Sequence, residues 1–353
     1  MFEPTPTWRR PCIVDGEYSL VIGGSGFVGR HLVEQLVRLG QPVRVFDRVP
    51  YGDPRVEMIV GDLRQAELVW QACAGAGTVF QCASLIDWRP GNQPHLYGVN
   101  VLGNRAVLAA CAAQGVPRLV YTSSIDVVFD GRPIRDGDET IAYPARHLDF
   151  YGRTKAQAER DVLAANGRGG LATCALRLAG VYGPYDQHRF PPIIAAVRAG
   201  RMLRLGDGRA RFNHVYVENA AHAHLLAAAR LAPGSPAAGA CYFITDHPAS
   251  NFFDFADELL HELGLAVPRR AIPYRAAYAL ALALELLARR GSGAAPMLTR
   301  YVVASTCVDF CFRHARAARE LGYHPIVSAV EARARTSAWL RSHAAGPTPM
   351  AGA

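Results

Sequence analysis

A chain of 353 residues, half of them hydrophobic and free of long low-complexity tracts, can bury a large core, which excludes a disordered or fibrous protein. Its formal charge of +8 is uneven: from Leu265 to Gly346 twelve arginines face four acids (Glu285, Asp309, Glu320, Glu331), so the whole excess lies in the last quarter. Eight scattered cysteines form no Cys-x-x-Cys pair, which argues against a disulfide framework or a zinc site and favours a reducing, cytoplasmic setting. His222 and His224 are two apart on an expected helix and point to different sides, so no metal site is expected there. Residues 1–17 read as a polar, proline-rich N-terminal extension without the apolar stretch of a signal peptide, and residues 343–353 as a disordered tail.

From residue 18 onward short apolar runs alternate with helical patterns. The runs are Tyr18–Gly23, Pro42–Asp47, Val56–Val60, Thr78–Cys82 and Arg118–Ser123, and between them lie Phe27–Gly40, Arg64–Cys73 and Pro94–Gln114. This alternation predicts an α/β fold: a Rossmann-type, doubly wound parallel sheet covered on both faces. The first run passes directly into Gly23-Gly24-Ser25-Gly26-Phe27-Val28-Gly29 and then a helix. Glycines at 23, 26 and 29 let backbone approach a pyrophosphate, and the helix start offers free N–H groups and a positive dipole end. Ser25 and Phe27 belong to the same turn. Asp47, ending the second strand, can bond both ribose hydroxyls of NAD and repel the extra phosphate of NADP. Arg48 beside it could offset that repulsion, so NAD is favoured over NADP. Asp62 and Leu63, after the third strand, are placed at the adenine edge; Asp62 also reads as a turn or helix cap.

The chain has 37 arginines and a single lysine, Lys155, four residues after Tyr151. On a helix this spacing puts both side chains on one face. Lysine has a compact ammonium whose pKa moves readily on burial, and such a charge can draw a phenol from about 10 towards neutrality. A phenol so tuned is a general acid/base for an alcohol oxygen. The plainer reading is a chance survivor in an arginine-rich composition.

Beyond Pro184 the expected elements are a helix from Phe190 to Gly200, a strand-like segment Phe212–Val217, a helix Asn219–Arg230 and a strand Ala240–Thr245. These divide the chain into a dinucleotide-binding domain, 18–185 with 212–247, and a smaller, mostly helical substrate-binding lobe, 186–211 with 248–342. Within the lobe, Ala276–Leu284 is an uncharged apolar stretch in a segment Tyr274–Arg290, flanked by Arg269, Arg270, Arg275, Arg289 and Arg290. It is too short to span a bilayer, which takes about 20 apolar residues. It reads either as a buried core helix or as an element resting on the inner face of a membrane, with peripheral contact through 269–290.

The glycine turn, Tyr151-x-x-x-Lys155 and a serine ending the fifth strand together resemble the extended short-chain dehydrogenases/reductases. Val21-Ile22-Gly23-Gly24-Ser25-Gly26-Phe27, Tyr121-Thr122-Ser123-Ser124 with Val127-Val128-Phe129-Asp130-Gly131, Asp138-Glu139, Tyr143-Pro144, Asp149-Phe150-Tyr151 and Thr154-Lys155 are similar to the 3β-hydroxysteroid dehydrogenase branch, nearest the decarboxylating sterol-4α-carboxylate 3-dehydrogenases and bacterial cholesterol dehydrogenases. The resemblance implies NAD-dependent oxidation of a sterol or steroid 3β-hydroxyl to a ketone, with loss of a C4 carboxylate as CO₂ where one is present. It further implies that Ser124 holds the substrate oxygen, Tyr151 takes the proton, and Lys155 binds the nicotinamide ribose and, with the positive nicotinamide, depresses the Tyr151 pKa. Asn100 would hold a relay water, or else serve as a helix-packing amide. Ala83 and Ser84 would line the nicotinamide ribose, and the loop through Val181 would support the carboxamide. The chain departs from the family at Leu178, where the common pattern has proline, while Tyr182-Gly183-Pro184 is intact.

Two alternatives stay open. Another extended short-chain enzyme, such as a nucleotide-sugar epimerase or a flavonoid-type ketone reductase, would share the turn and the Tyr–Lys pair; Arg211 before Phe212-Asn213 is a poor version of the epimerase pattern. A non-catalytic NAD(P)-sensing protein would often lack the Tyr or Lys retained here. A sterol or steroid is the expected partner, and a homodimer is compatible with the resemblance. Nucleic acid is not expected, because the C-terminal arginines are interleaved with alanine rather than with base-stacking aromatics.

Overall fold

The computed structural model describes residues 18–87, 92–246, 248–289 and 296–343. The N-terminal extension and residues 344–353 of the expected tail lie outside the described residues, while His343 itself ends a helix, Ala329–His343.

The apolar runs become strands β1 (Tyr18–Ile22), β2 (Val43–Asp47), β3 (Val56–Val60), β4 (Ala76–Gln81) and β5 (Arg118–Ser124). Strands Ala172–Leu178 and Ala240–Ile244 join them in one seven-stranded sheet. Its order is Ala240–Ile244, Ala172–Leu178, β5, β4, β1, β2, β3, and every pairing is parallel. A parallel sheet covered on both faces calls for strands apolar on both faces. Accordingly Leu20, Val21 and Ile22 are all fully buried. The strand order reverses between β1 and β4, opening a crevice at their C-terminal ends.

Helix α1 (Phe27–Arg38) leaves the β1 turn and packs against the helix Val217–Arg230. The expected helix Pro94–Gln114 runs from Gln93 to Ala113, but it contains a π turn at Gly98–Gly103 that the 3.6-residue pattern does not predict. A π turn widens a helix locally and commonly marks a functional position; here it carries Asn100. The helix Phe150–Ala165 lies along β5 and Ala172–Leu178, N-capped by Asp149, whose Oδ2 accepts the Gly152 N–H at 3.2 Å.

Leu178 is buried at the end of its strand, level with Ser124 and Ile244. The chain runs on through Gly180–Tyr182, which pairs in parallel with His214–Tyr216. Gly183 has φ +144°, and a Cβ there would lie 2.5 Å from Val217, so the turn needs glycine even without the usual proline.

The C-terminal elements cover the crevice. They include helices Phe190–Arg198, Phe252–Glu262, Tyr274–Arg289 and Arg300–Cys307. The helix Tyr274–Arg289 is not an ordinary core element. Ala277 and Ala281 are fully buried against Val303, but Leu280, Leu282, Leu286 and Leu287 are exposed.

Candidate active site

The sheet's C-terminal edge and the overlying helices enclose one continuous cavity of about 840 Å³. The glycine turn lies at one end. Gly23 adopts φ +82°, and a Cβ on Gly29 would fall 2.1 Å from the Gly23 carbonyl oxygen. Glycine is therefore obligatory for α1 to approach β1 this closely. Gly26 caps α1 with no side-chain bond, so the first-turn N–H groups are without a side-chain partner where Gly26, Phe27 and Val28 line the cavity. Such a cradle fits the pyrophosphate of a dinucleotide.

Around it the expected cofactor residues converge. Asp47 Oδ2 accepts the Ser25 N–H at 3.0 Å and Oδ1 the Val49 N–H at 3.0 Å, while Ser25 Oγ donates to the Val49 carbonyl at 2.7 Å. Asp47 is thus held at the end of β2, facing the turn. Arg48 leans away from it, its Nε 3.8 Å from Asp62. Asp62 also accepts from Arg64 Nε and Nη2 at 2.9 and 2.8 Å, and these hydrogen bonds hold its carboxyl at about 2. It closes a turn through the Arg64 N–H and lines the cavity together with Leu63. Ala83 packs against Gly23, and Ser84 and Val181 line the same space further in.

Ser124, Tyr151 and Lys155 line the same cavity, and the Tyr151 phenol is hydrogen-bonded with Ser124. Tyr151 and Lys155 face β5 from successive turns of their helix. Lys155 Nζ donates to the Thr122 carbonyl at 2.6 Å and lies 4.4 Å from the Tyr121 ring centroid. Burial lowers its pKa to about 8, against the opposing pull of Glu159, Cys82 and Asp126. Thr122 is itself anchored. His224 Nδ1 donates to the Ala220 carbonyl at 2.7 Å, so Nε2 is the acceptor for the Thr122 hydroxyl at 2.7 Å. One turn beyond Lys155, fully buried Glu159 accepts from Ser123 Oγ, from Tyr143 OH at 2.6 Å and from Arg177 Nη2 at 2.7 Å.

The protein does not by itself draw the Tyr151 phenol towards neutrality. Burial raises its pKa strongly, the charges of Asp126 and Asp149 raise it further, and hydrogen bonding with Ser84 and Ser124 offsets only part. The Lys155 ammonium is spent on a carbonyl and a ring face rather than on the phenol.

Asn100 has its side-chain amide fully engaged within the protein. Its Oδ1 accepts from the Leu85 N–H at 2.8 Å and Ser84 Oγ at 3.3 Å; its Nδ2 donates to the Leu85 carbonyl at 3.0 Å and Thr154 Oγ1 at 3.1 Å. Both amide protons and the oxygen have protein partners. The amide pins the Ser84–Leu85 loop to the helix carrying Tyr151, which agrees with the packing reading and leaves no amide proton for a water.

Three cavity residues were not singled out from sequence. Asp126 Oδ2 accepts from Ser124 Oγ at 2.6 Å and Oδ1 from Tyr301 OH at 2.7 Å. Burial pushes its carboxyl above the ordinary range, opposed by those hydrogen bonds and by the charges of Arg189 and Lys155. The Asp126 signal was local, two residues past Ser124; Tyr301 and Arg189 are remote in sequence and carried none.

A doubly wound parallel sheet with a glycine turn at its switch point and a Tyr-x-x-x-Lys helix along its C-terminal edge is the architecture of the extended short-chain dehydrogenases/reductases. More narrowly, the chain belongs to the 3-beta hydroxysteroid dehydrogenase/isomerase family, whose model matches residues 20–274. A sterol-4-alpha-carboxylate 3-dehydrogenase, decarboxylating, from Mus musculus is 37% identical over 322 residues, covering 90% of this chain and 89% of that protein. A 3 beta-hydroxysteroid dehydrogenase/Delta 5→4-isomerase from Mycobacterium tuberculosis (strain H37Rv) is 38% identical over 323 residues, covering 89% and 87%. Among solved structures, MoeE5 in complex with UDP-glucose and NAD superposes with a TM-score of 0.70 at 26% identity, covering 92% of this chain and 99% of that one.

Proposed function

We propose that this protein oxidises the 3β-hydroxyl of a sterol or steroid to the 3-ketone with NAD as acceptor. The observation that carries the reading is that Ser124, Tyr151 and Lys155 line one cavity together with Ile193, Met202, Leu203, Leu205, Ile272, Leu280, Met297 and Leu298. An apolar wall suits a fused-ring hydrocarbon.

Gly23, Ser25, Gly26, Phe27 and Gly29 would hold the pyrophosphate, Asp47 the adenosine ribose, Asp62 and Leu63 the adenine edge, and Ala83, Ser84 and Val181 the nicotinamide end. With Arg48 turned towards Asp62, the Asp47 charge is left to disfavour a 2′-phosphate, which supports NAD over NADP. NAD, when bound, supplies the hydride acceptor and a positive charge beside the phenol. Tyr151 accepts the alcohol proton, Ser124 fixes the alcohol oxygen, and Lys155 binds the nicotinamide ribose. Asn100 is a positioning residue that fixes the Ser84–Leu85 loop against the Tyr151 helix. Where the substrate bears a carboxylate on the neighbouring carbon, oxidation yields a β-keto acid. Its C–C bond then breaks, CO₂ leaves, and the bonding pair becomes an enolate that takes up one proton to give the ketone.

Residues 186–211 and 248–342 form the substrate-binding lobe, except that Phe310–Phe312 pairs with Ile134–Gly137 beside the sheet. The leucines exposed on Tyr274–Arg289 form an apolar face next to the cavity mouth, since Leu280 also lines the cavity. Exposed Arg269, Arg270 and Arg275 precede it. An apolar face with basic flanks is the composition of a helix lying in a membrane interface, where sterols reside.

Purified protein with NAD⁺ tests the reading. NADH absorbance should rise with a 3β-hydroxysterol and not with UDP-sugars, and Tyr151→Phe should abolish turnover while leaving NAD binding within a few-fold. Turnover of a UDP-sugar and not of the sterol refutes it.

A further inference from the structure

A proton taken from an alcohol by Tyr151 has to leave the site, and the two serines hydrogen-bonded with the phenol, Ser84 and Ser124, are its ways out. The Ser84 branch is a dead end. Ser84 Oγ donates to Asn100 Oδ1 at 3.3 Å, and an amide takes no proton. The Ser124 branch ends on a carboxylate. Ser124 Oγ donates to Asp126 Oδ2 at 2.6 Å and accepts the Asp126 N–H at 3.3 Å. Its hydrogen and one lone pair are thereby used. Only the other lone pair is left for Tyr151, so the phenol is the donor. The three groups form a chain of one direction, from the Tyr151 O–H through the Ser124 O–H to the Asp126 carboxylate.

Asp126 is suited to receive a proton. It lies in the single turn Ile125–Val128 that follows β5, is 8% exposed and still lines the cavity. Burial raises its pKa, which narrows the gap to the phenol it would relieve. Tyr301 OH donates to the second oxygen, Oδ1, at 2.7 Å and fixes the carboxylate from the helix Arg300–Cys307. Burial and the charges of Asp126 and Asp149 push the Tyr301 phenol up, so the chain does not continue through it. The other ionisable groups around the carboxylate are Lys155 and Arg189, whose charges favour its ionised form, and Asp149, Tyr151 and His147 at or just before the start of the Tyr151 helix.

Building on the alcohol oxidation proposed above, we propose that Asp126 is the terminal proton acceptor of the reaction, reached from Tyr151 through the Ser124 hydroxyl. The Tyr151 proton passes to Ser124 Oγ as the Ser124 proton passes to Asp126 Oδ2, leaving a phenolate and a neutral acid. The phenolate then takes the alcohol proton as the C–H bond gives up its hydride to NAD and the ketone forms. Once protonated, Asp126 donates its O–H to Ser124, and the Ser124 proton turns to the substrate oxygen. A ketone oxygen has no hydrogen of its own to offer, so it gains a donor as it is made. After the product leaves, Asp126 gives its proton to water in the cavity.

The test follows single-turnover oxidation of a 3β-hydroxysteroid with NAD⁺ against pH, in wild type, Asp126→Asn and Tyr301→Phe. Asparagine keeps the size and can still accept from Ser124, but it takes no proton. Asp126→Asn should lose about 100-fold in rate, the worth of one acid/base group, with NADH binding within a few-fold and no loss of melting temperature. Its acid limb should vanish, and the remaining rate should climb steadily with pH, because Tyr151 must then ionise unaided. Tyr301→Phe removes a donor to the charged carboxylate, so the acid limb should move up by about one pH unit. The infrared carboxylate band of Asp126 in cofactor-free protein should titrate higher by the same amount. Asp126→Asn within tenfold of wild type, or a deep loss that leaves the acid limb in place, overturns the proposal and leaves Asp126 a support for Ser124. If Asp126→Asn does not fold, an acid limb that Tyr301→Phe does not move overturns it equally. A wild type that oxidises no 3β-hydroxysteroid is a different result: it overturns the steroid reading, and the relay falls with it.

Discussion

Replacing Lys155 by methionine separates what the ammonium does for the reaction from what it costs the fold. Lys155 is 2% exposed, and burial lowers its pKa from the ordinary 10.5 to about 8. A gap of roughly 2.5 between folded and unfolded pKa values is worth about 3 kcal/mol, since each unit is about 1.4. The folded value is the lower one. Below pH 8 both states carry the proton, and the fold bears the whole cost. Between pH 8 and about 10.4 the unfolded chain binds more protons than the folded one, so stability rises with pH. Above that range the cost is gone. Methionine has similar length and no charge, so the variant never bears this cost, although it also loses the 2.6 Å bond to the Thr122 carbonyl. The stability of wild type minus that of Lys155→Met should therefore increase by about 2–3 kcal/mol between pH 7 and pH 10. Urea unfolding of both proteins at the two pH values measures it, because groups titrating alike in both cancel. Turnover of the variant should fall at least ~100-fold at either pH, the cost of a cofactor ribose left misplaced. A stability difference that does not move with pH would refute the burial argument, and turnover within tenfold of wild type would refute the role given to the ammonium.

Asp47→Ala should lower kcat/KM for NAD by about tenfold and narrow the preference over NADP, the loss of a charged hydrogen bond; better kcat/KM with NADP in wild type would overturn the role of Asp47. Glu159→Gln keeps the volume but leaves Arg177, 2% exposed, without its counter-charge, so guanidinium unfolding should show a loss of about 3–5 kcal/mol. The same change removes the leading charge that holds the Lys155 pKa up, so the alkaline limb of the pH–rate profile should move to lower pH; a loss under ~1 kcal/mol with an unmoved limb would show the pair to be idle. Protein should co-sediment with anionic liposomes at low salt, release as salt rises, and bind less after Leu286→Glu with Leu287→Glu. Equal sedimentation with neutral and anionic liposomes, or none with either, would make the exposed leucine face an ordinary surface.

Much of the scaffold was legible because it is encoded locally. Each sheet strand up to β5 lies within two residues of its apolar run, since a parallel strand buried on both faces must be apolar throughout and ends where glycine or a polar turn begins. The glycine turn and the Tyr151–Lys155 spacing were equally readable, because contacts within seven residues follow from backbone geometry alone. A single lysine among 38 basic residues singled out position 155 from the sequence alone.

What only the tertiary structure decided involves groups far apart in the chain, or the degree of their burial. Tyr301 reaches Asp126 across 175 residues, and Arg189 reaches His214 across 25, through crossings that periodicity does not encode. The direction of the Tyr151 pKa turned on how deeply the phenol is buried and on Asp126 and Asp149 beside it, neither visible in a Tyr-x-x-x-Lys spacing. The same composition in Tyr274–Arg289 suits a core helix or a surface one, and only the packing of Ala277 and Ala281 inward turned its leucines out. Sequence by itself determined which chemistry the chain carries, because that chemistry sits on short motifs. The fold decided which charges that chemistry meets, because desolvation and Coulomb forces depend on distance in space and not along the chain.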